Sequence, residues 1–578
     1  MPVHNHEIAE RFTRLANLLE IEGENPYRVR AYRNAARTLG GLSVSIADMV
    51  AEGEDLTRYP GIGKDLAGRI RTLVETGELP VLTEVERRVP TELSDLMAIE
   101  GLGPKGVRSL YKKLSIDSLE DLEEAARAGR IHQVERFGEK TEQSILKEIN
   151  KLRSGGRQRT RLVDAEEVAR PLVEYLAAAE GVEAIEVAGS FRRRKETVGD
   201  LDILVSCEDS GPVMERFVSH EDVAEVVSQG TTRSTVRLSS DLHVDLRAVS
   251  AKSYGAALHY FTGSQAHNIA VRQRGVERGY KINEYGVFPS GESGGKPMAG
   301  ATEEEVYDCV GLPWIAPELR EDRGEIQAAE EGRLPELVTV EDMRGDLHAH
   351  TDATDGGEGL RAMAEAAADR GYEYLAITDH SKRVSMAHGL DADRLRAQGA
   401  EIDRLNEELE GITLLKGIEV DILEDGSLDL PDDVLAGLDM TVCSIHYQFN
   451  LPRDRQTERI IRAMDNPHFR ILGHPSGRTI NEREALDLDM ERLVEAAVER
   501  NCILEVNGQP GRLDLRDTDC MLARERGAKL ALSTDAHNVP NLGLMRFAVD
   551  QARRGWVEAG DVINTRDLQG LKRALERA

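Results

Sequence analysis

The sequence predicts a multidomain protein with an all-α N-terminal region, an α+β middle and a C-terminal distorted, TIM-like α/β barrel. Three observations carry that prediction. Over residues 1–150, apolar side chains recur at three-to-four spacing (Ile8, Phe12, Leu15, Leu18, Leu19) without strand-like alternation. Between Arg161 and about Val310, helices mix with segments of strand character at Ala184–Gly189, Leu201–Ser206, Thr235–Leu238 and His243–Ala248. From Asp346 onward, short apolar strands ending in polar residues alternate with helices, the pattern of a barrel whose active site lies at the strand C-terminal ends. Those strands are Tyr374–His380, Leu414–Asp421, Met440–His446, Ile471–His474, Ile503–Asn507 and Leu530–Asp535.

Length and composition agree. A chain of 578 residues exceeds what one hydrophobic core can serve. No apolar run approaches the ~18–20 residues that span a bilayer, and Met1–Ile8 lacks a signal-peptide apolar region. Five scattered cysteines form no C-x-x-C pair, which argues against a disulfide framework and cysteine-built zinc sites. A cytoplasmic monomer that meets no membrane is the expectation. The net charge of −30, with Arg well in excess of Lys, is the wrong sign for an ordinary DNA-binding protein. Adaptation to a salty cytoplasm is one account, and an acidic enzyme with local basic patches is the other. Basic clusters stand at Lys151–Arg161, a flexible joint, and at Arg192–Lys195.

In the helical region, Tyr59–Ile70 reads YPGIGKDLAGRI and Ile99–Leu110 reads IEGLGPKGVRSL. Each places glycines (Gly61 and Gly63; Gly101 and Gly103) and a lysine (Lys64; Lys105) at the start of a helix. Amides there can meet a phosphate oxygen and so read DNA backbone, not sequence. A plain helix–helix turn would explain one such hairpin, but two in succession favour DNA binding. Arg136–Ile145 is a weaker third candidate.

The middle region carries GSFRRRKETVGDLD at Gly189–Asp202. Asp200 and Asp202 sit two apart on a strand, so both carboxylates face one side. With Asp245, in the strand HVDLR, they can hold two Mg²⁺ or Mn²⁺ ions that orient a 3′-oxygen and neutralise a triphosphate. Gly189–Ser190 offers amides and a hydroxyl to phosphates, and Arg193 a guanidinium fork.

Together with YFTGSQAHNIAVRQRGVERGYKINEYG at Tyr260–Gly286, this stretch resembles family X DNA polymerases, the group containing DNA polymerase beta. The resemblance covers roughly residues 1–315. It implies that Asp200, Asp202 and Asp245 are catalytic metal ligands and that Asp245 helps activate the primer 3′-hydroxyl. It further implies that Ser190, Arg193 and Gly199 contact the triphosphate, and that Tyr260, Phe261 and Gly263 line the sugar pocket. Asn268 and Arg272 would face the nascent pair, with dNTPs and gapped or primed DNA as substrates. Two positions depart from the family. Gln265 stands where the eukaryotic relative has an acid, and Arg69 replaces the lysine that forms a Schiff base with an abasic sugar. Arginine is a poor nucleophile, so lyase activity is not expected.

The C-terminal half carries His348, His350, Asp355, His380, Glu419, His446, His474, Asp535 and His537, nearly all at predicted strand ends. Mixed imidazole and carboxylate ligands suit Mn²⁺, Zn²⁺ or Fe²⁺, and nine of them suffice for three ions. A lone buried histidine is usually a core residue, but nine converging ligands have no such explanation. This half, about residues 341–578, resembles the polymerase-and-histidinol-phosphatase (PHP) domain, with all nine ligand positions filled. The resemblance implies a trinuclear site that cleaves phosphoesters, as a 3′–5′ exonuclease, an abasic-site nuclease or a 3′-phosphatase.

The resulting domain map is 1–85 and 86–155 (helical, 8-kDa-like and fingers-like, each with a hairpin), 156–258 (nucleotidyltransferase palm), 259–316 (thumb), 317–340 (an acidic linker) and 341–578 (PHP barrel). The leading reading is a gap-filling repair polymerase with its own 3′-end nuclease. A phosphoesterase or nuclease with a degenerate polymerase half is the alternative, and a scaffold without activity leaves the catalytic positions unexplained.

Overall fold

The computed structural model describes residues 5–576 except 41–45, 52, 60, 91–92, 94–95, 98, 100–101, 135–136, 139–140, 144, 147–148, 150–158 and 291–295. Gly101, most of the Lys151–Arg161 joint and parts of the third hairpin lie outside these residues. The chain divides into two compact units, Met1–Gln158 and Arg159–Ala578.

The first unit is helical throughout its described residues. Helices Asn5–Glu22 and Pro26–Gly40 pack together through Phe12, Leu15, Leu19, Tyr32 and Ala35, all buried. Helices Lys64–Thr76 and Pro104–Leu114 each begin immediately after a glycine, Gly63 and Gly103. Their φ angles of −81° and −76° are open to any residue, so backbone freedom is not what these glycines supply. A Cβ at either would meet no protein atom, which leaves both helix starts open to a ligand. Gly61 differs: its φ of +80° is the left-handed turn that glycine allows.

The second unit holds two sheet systems. The palm sheet orders its strands Val182–Val187, Asp200–Cys207, His243–Val249, Arg233–Leu238 and Val223–Gln229, with the second and third parallel and the other pairs antiparallel. The edge strand Val223–Gln229 was not foreseen. It exposes nearly every side chain, including Val226 and Val227, so it lacks the alternation that marks a half-buried strand.

The barrel is built from parallel strands. Gly345–Asp346, Tyr374–Ile377 and Thr413–Lys416 form one run; Glu419–Asp421, Val442–Ser444, Ile471–Leu472, Ile503–Asn507 and Lys529–Ser533 form the other. Parallel bridges His380–Glu419 and Ala349–Ala536 close the ring. Alternate residues go to different cores, as a two-sided buried strand requires. Leu375 and Ile377 pack outward against helices, whereas Tyr374 and Ala376 pack inward with Leu415, Val442, Ile471 and Ile503.

The segment 317–340 is not a linker. Leu319, Ala328 and Ala329 join Val306, Tyr307, Val310 and Ile315 in one core. Its charged residues misled the sequence reading because they are paired inside the molecule. Arg320 is fully buried and ion-paired to Glu303 at 2.6 Å, and buried Glu325 meets His267 at 2.7 Å. Among the described residues no helix is long and apolar enough to cross a membrane, and the five cysteines are free.

Candidate active sites

A cavity of about 840 Å³ opens against the palm sheet. It gathers Gly189, Ser190, Arg193, Gly199, Asp200, Asp202, Tyr260, Phe261, Gly263, Gln265, Asn268 and Arg272 from two separate segments, 189–202 and 260–272. The turn at Gly189 (φ +66°) lies so near Asp202 that a Cβ would stand 2.9 Å from its Oδ2. Glycine is therefore required there. Asn268 Nδ2 donates to the Tyr260 carbonyl at 2.7 Å, and Arg272 Nε donates to the Asn268 carbonyl at 3.2 Å. Arg247 stacks on Phe261 with 4.3 Å from its guanidinium carbon to the ring centroid.

The carboxylates behave differently from one another. Strand register sets Asp202 beside Asp245, and burial followed by the charges of Asp200 and Asp245 pushes Asp202 up to about 6. A cation relieves that repulsion, so the acids fit a divalent ion. Asp245, however, does not line the cavity. It accepts from Arg233 Nη2 at 2.8 Å and from the Thr235 hydroxyl.

Arg193, expected at the triphosphate, is already engaged. Its Nε meets Glu321 at 3.0 Å, and its Nη1 donates to the Thr262 carbonyl. Its neighbours are committed too. Arg192 pairs with Glu303 at 2.9 Å, and Arg194 with Asp550 and Glu166, each at 2.6 Å. The three arginines thus form internal ion pairs, while Lys195, the last of the run, lines the cavity.

At the barrel mouth, eight of the nine foreseen ligands fall into three groups whose donor atoms lie within 4.8 Å of one another. These are His350, Asp355, His380 and His537; His348, His350 and Asp535; and His380, Glu419 and His446. His350 and His380 are shared between groups. His474 stands aside, its Nε2 2.8 Å from Glu419 Oε1. His348, His380, His446, His474 and Asp535 closely follow strands and Glu419 opens one, and two sit on left-handed backbone, His474 at φ +26° and Asp535 at φ +51°.

Orphaned polar atoms show what the groups would hold. His348 Nε2, both ring nitrogens of His350, His380 Nδ1 and Glu419 Oε2 are buried without a well-formed hydrogen bond among the described residues, although His380 Nδ1 and Glu419 Oε2 lie 2.7 Å apart and His350 Nε2 lies 3.2 Å from Asp535. Such atoms are costly unless a cation meets them, so the donor set fits metal ions. Protons meet the cluster unevenly. Burial drives His350 down to about 4, while burial loses to the charge of Glu419 at His380 and His446, which rise to about 10 and 9.

Sequence reading missed the carboxylates behind these ligands. Glu505 Oε1 sits 2.6 Å from His348 Nδ1, and its Oε2 accepts the His474 amide at 2.5 Å. Asp421 lies 3.2 Å from His446 Nδ1. Both had a visible signal, since each sits in a strand of the same barrel, Asp421 two residues beyond Glu419.

Comparison with known families assigns the segments. Residues 3–79 match the helix-hairpin-helix domain and 93–151 the SAM-like helix-hairpin-helix tandem. Residues 163–257 match the DNA polymerase beta palm, 257–321 the DNA polymerase beta thumb and 346–509 the PHP domain. The thumb match runs past 316 and covers Arg320 and Glu321. The DNA polymerase/3′–5′ exonuclease PolX of Bacillus subtilis (strain 168) is 38% identical over 581 residues, covering 100% of both chains. A probable phosphatase of Thermoanaerobacter sp. (strain X514) is 31% identical over 245 residues, 40% of this chain and 94% of the relative. DNA polymerase lambda of Arabidopsis thaliana is 27% identical over 351 residues, 55% of this chain and 62% of the relative.

Proposed function

Because the chain belongs to the family X DNA polymerases that carry a C-terminal PHP domain, we propose that it is a gap-filling DNA polymerase with its own 3′–5′ exonuclease. The observation that carries this reading is the convergence, within one compact unit, of two separate sets of residues foreseen in the sequence. Asp200, Asp202 and Asp245 hold Mg²⁺ or Mn²⁺ in the palm. Gly189, Ser190, Arg193 and Gly199 receive the triphosphate of a dNTP, and Tyr260, Phe261 and Gly263 pack against its sugar. Asn268 and Arg272 face the nascent pair. The open helix starts at Gly63–Lys64 and Gly103–Lys105 bind the backbone of gapped or primed DNA. His348, His350, Asp355, His380, Glu419, His446, His474, Asp535 and His537 would hold Mn²⁺ or Zn²⁺, three ions in all. Bound there, such ions supply charge neutralisation and an activated water for phosphodiester cleavage.

The likeness of the barrel to a probable phosphatase favours a second activity of the same centre, removal of a 3′-terminal phosphate. A 5′-labelled primer in a short gap, with Mn²⁺, tests the whole reading. Extension with dNTPs and shortening without them are expected, with Asp200→Ala abolishing only growth and His350→Ala only shortening. Shortening without any extension would overturn the polymerase assignment and leave a nuclease.

A further inference from the structure

The wall of the nucleotide cavity is not made by the polymerase half alone. Arg516, Asp517, Gln551 and Arg554, all from the barrel, line the same 840 Å³ space as Asp200 and Asp202. Most cations around that space already have partners. Arg193 is held by Glu321, Arg323 by Asp517 at 3.0 Å, and Arg554 by Asp517 and by Glu321 at 3.1 Å. Arg159 donates from Nε and Nη2 to Thr197. The Lys195 ammonium and the guanidinium of exposed Arg516 make no hydrogen bond or ion pair with any described residue, although the Arg516 charge favours ionisation of Asp519.

The loop that presents Arg516 is firmly held. The Ser476 amide donates to both oxygens of Asp514 at 3.1 and 3.0 Å, and the Asn507 amide donates to the Asp514 carbonyl. Arg478 donates to the Leu513 carbonyl, and the Leu513 side chain is buried in the palm's own core beside Leu162 and Val198. The loop is thus registered on the palm and cannot drift with the barrel surface. A free guanidinium, fixed at the mouth of a cavity that also holds the acids of nucleotidyl transfer, suits bidentate contact with a phosphate.

We propose that Arg516 of the PHP barrel binds the triphosphate of the incoming dNTP, so that the hydrolase domain forms part of the polymerase's nucleotide site. This rests on reading the cavity as the dNTP site. It sets a cation of the barrel beside two of the palm that line the same cavity, Arg193, which is held by Glu321, and Lys195.

The test is steady-state extension of a one-nucleotide gap by the full chain, with inorganic pyrophosphate as a product inhibitor. Arg516→Ala is expected to raise the KM for dNTP about tenfold, the value of one hydrogen bond to a charged group, with kcat little altered. Pyrophosphate inhibition should weaken by a similar factor, and Arg516→Lys should restore part of both. An unchanged thermal midpoint checks that the variant is folded. If wild type extends the primer while Arg516→Ala and Arg516→Glu both keep its KM and its pyrophosphate inhibition, the proposal is wrong. If wild type extends no primer at all, the polymerase reading itself fails first.

Discussion

In the barrel the donor atoms of eight ligands already stand in groups within 4.8 Å, whereas in the palm Asp245 is turned to Arg233 and Thr235 and joins no such group. The difference follows from how each centre is built. Barrel ligands mostly lie just beyond short parallel strands buried on both sides, braced by Glu505 and Asp421, so their positions are fixed by packing. The palm acids project from a sheet into an open cavity, and the third of them must leave an arginine before it can meet an ion. One centre is organised by the fold, and the other is completed by its substrate and cations.

The largest break in that contrast should come from the thumb. Glu303 bridges Arg192 and Arg320, and truncation strands a fully buried guanidinium. Glu303→Ala is expected to destabilise the second unit by about 3–5 kcal/mol, read as a lower urea midpoint. An unshifted midpoint would mean that the pair holds nothing together. Next comes Glu505→Gln, which loosens the orientation of His348 without touching a ligand. Metal affinity at the barrel should fall about ten- to a hundredfold, seen in a Mn²⁺ titration of primer shortening, with extension as the control. Equal loss of both activities would show that Glu505 serves only the fold.

The smallest effect concerns protons at the palm. Asp202 titrates near 6, so at limiting Mg²⁺ the extension rate should fall as pH drops below about 6. Raising Mg²⁺ should move that fall to lower pH, because the ion competes with the proton. A limb that ignores Mg²⁺ would remove Asp202 from the ligand set. The stability sign runs the other way. The folded palm binds this proton more tightly than the unfolded chain, so ionising Asp202 as pH rises from about 4 to about 6 costs stability.

Much of this was readable in the chain. Asp200 and Asp202 declare themselves by strand spacing, and His348, His380, Glu419 and Asp535 by their place at strand ends. What escaped reading depends on contacts between distant segments. Arg320, Glu325 and Glu321 look like a solvated linker because sequence shows charge but not the partner that buries it. The edge strand Val223–Gln229 hides because most of its side chains face water. Glu505 shows only that it sits in a barrel strand, and Arg516 carries no local signature at all. Their significance appears only when His348 and Asp202 come into view across the fold.

The three consecutive arginines at 192–194 also decide how the molecule can be taken apart. Arg194 is neutralised by Asp550 in the barrel, and Arg554 in the barrel reaches back to Glu321 and to the carbonyl of Arg193. A cut anywhere between Glu321 and Asp346 would take one of two acidic partners from Arg194 and from Arg554 and leave half-buried Asp550 without its arginine. Expressing the halves separately would therefore report on damaged proteins, and limited proteolysis should not release either half intact. Single-residue edits are the dissection that this architecture permits.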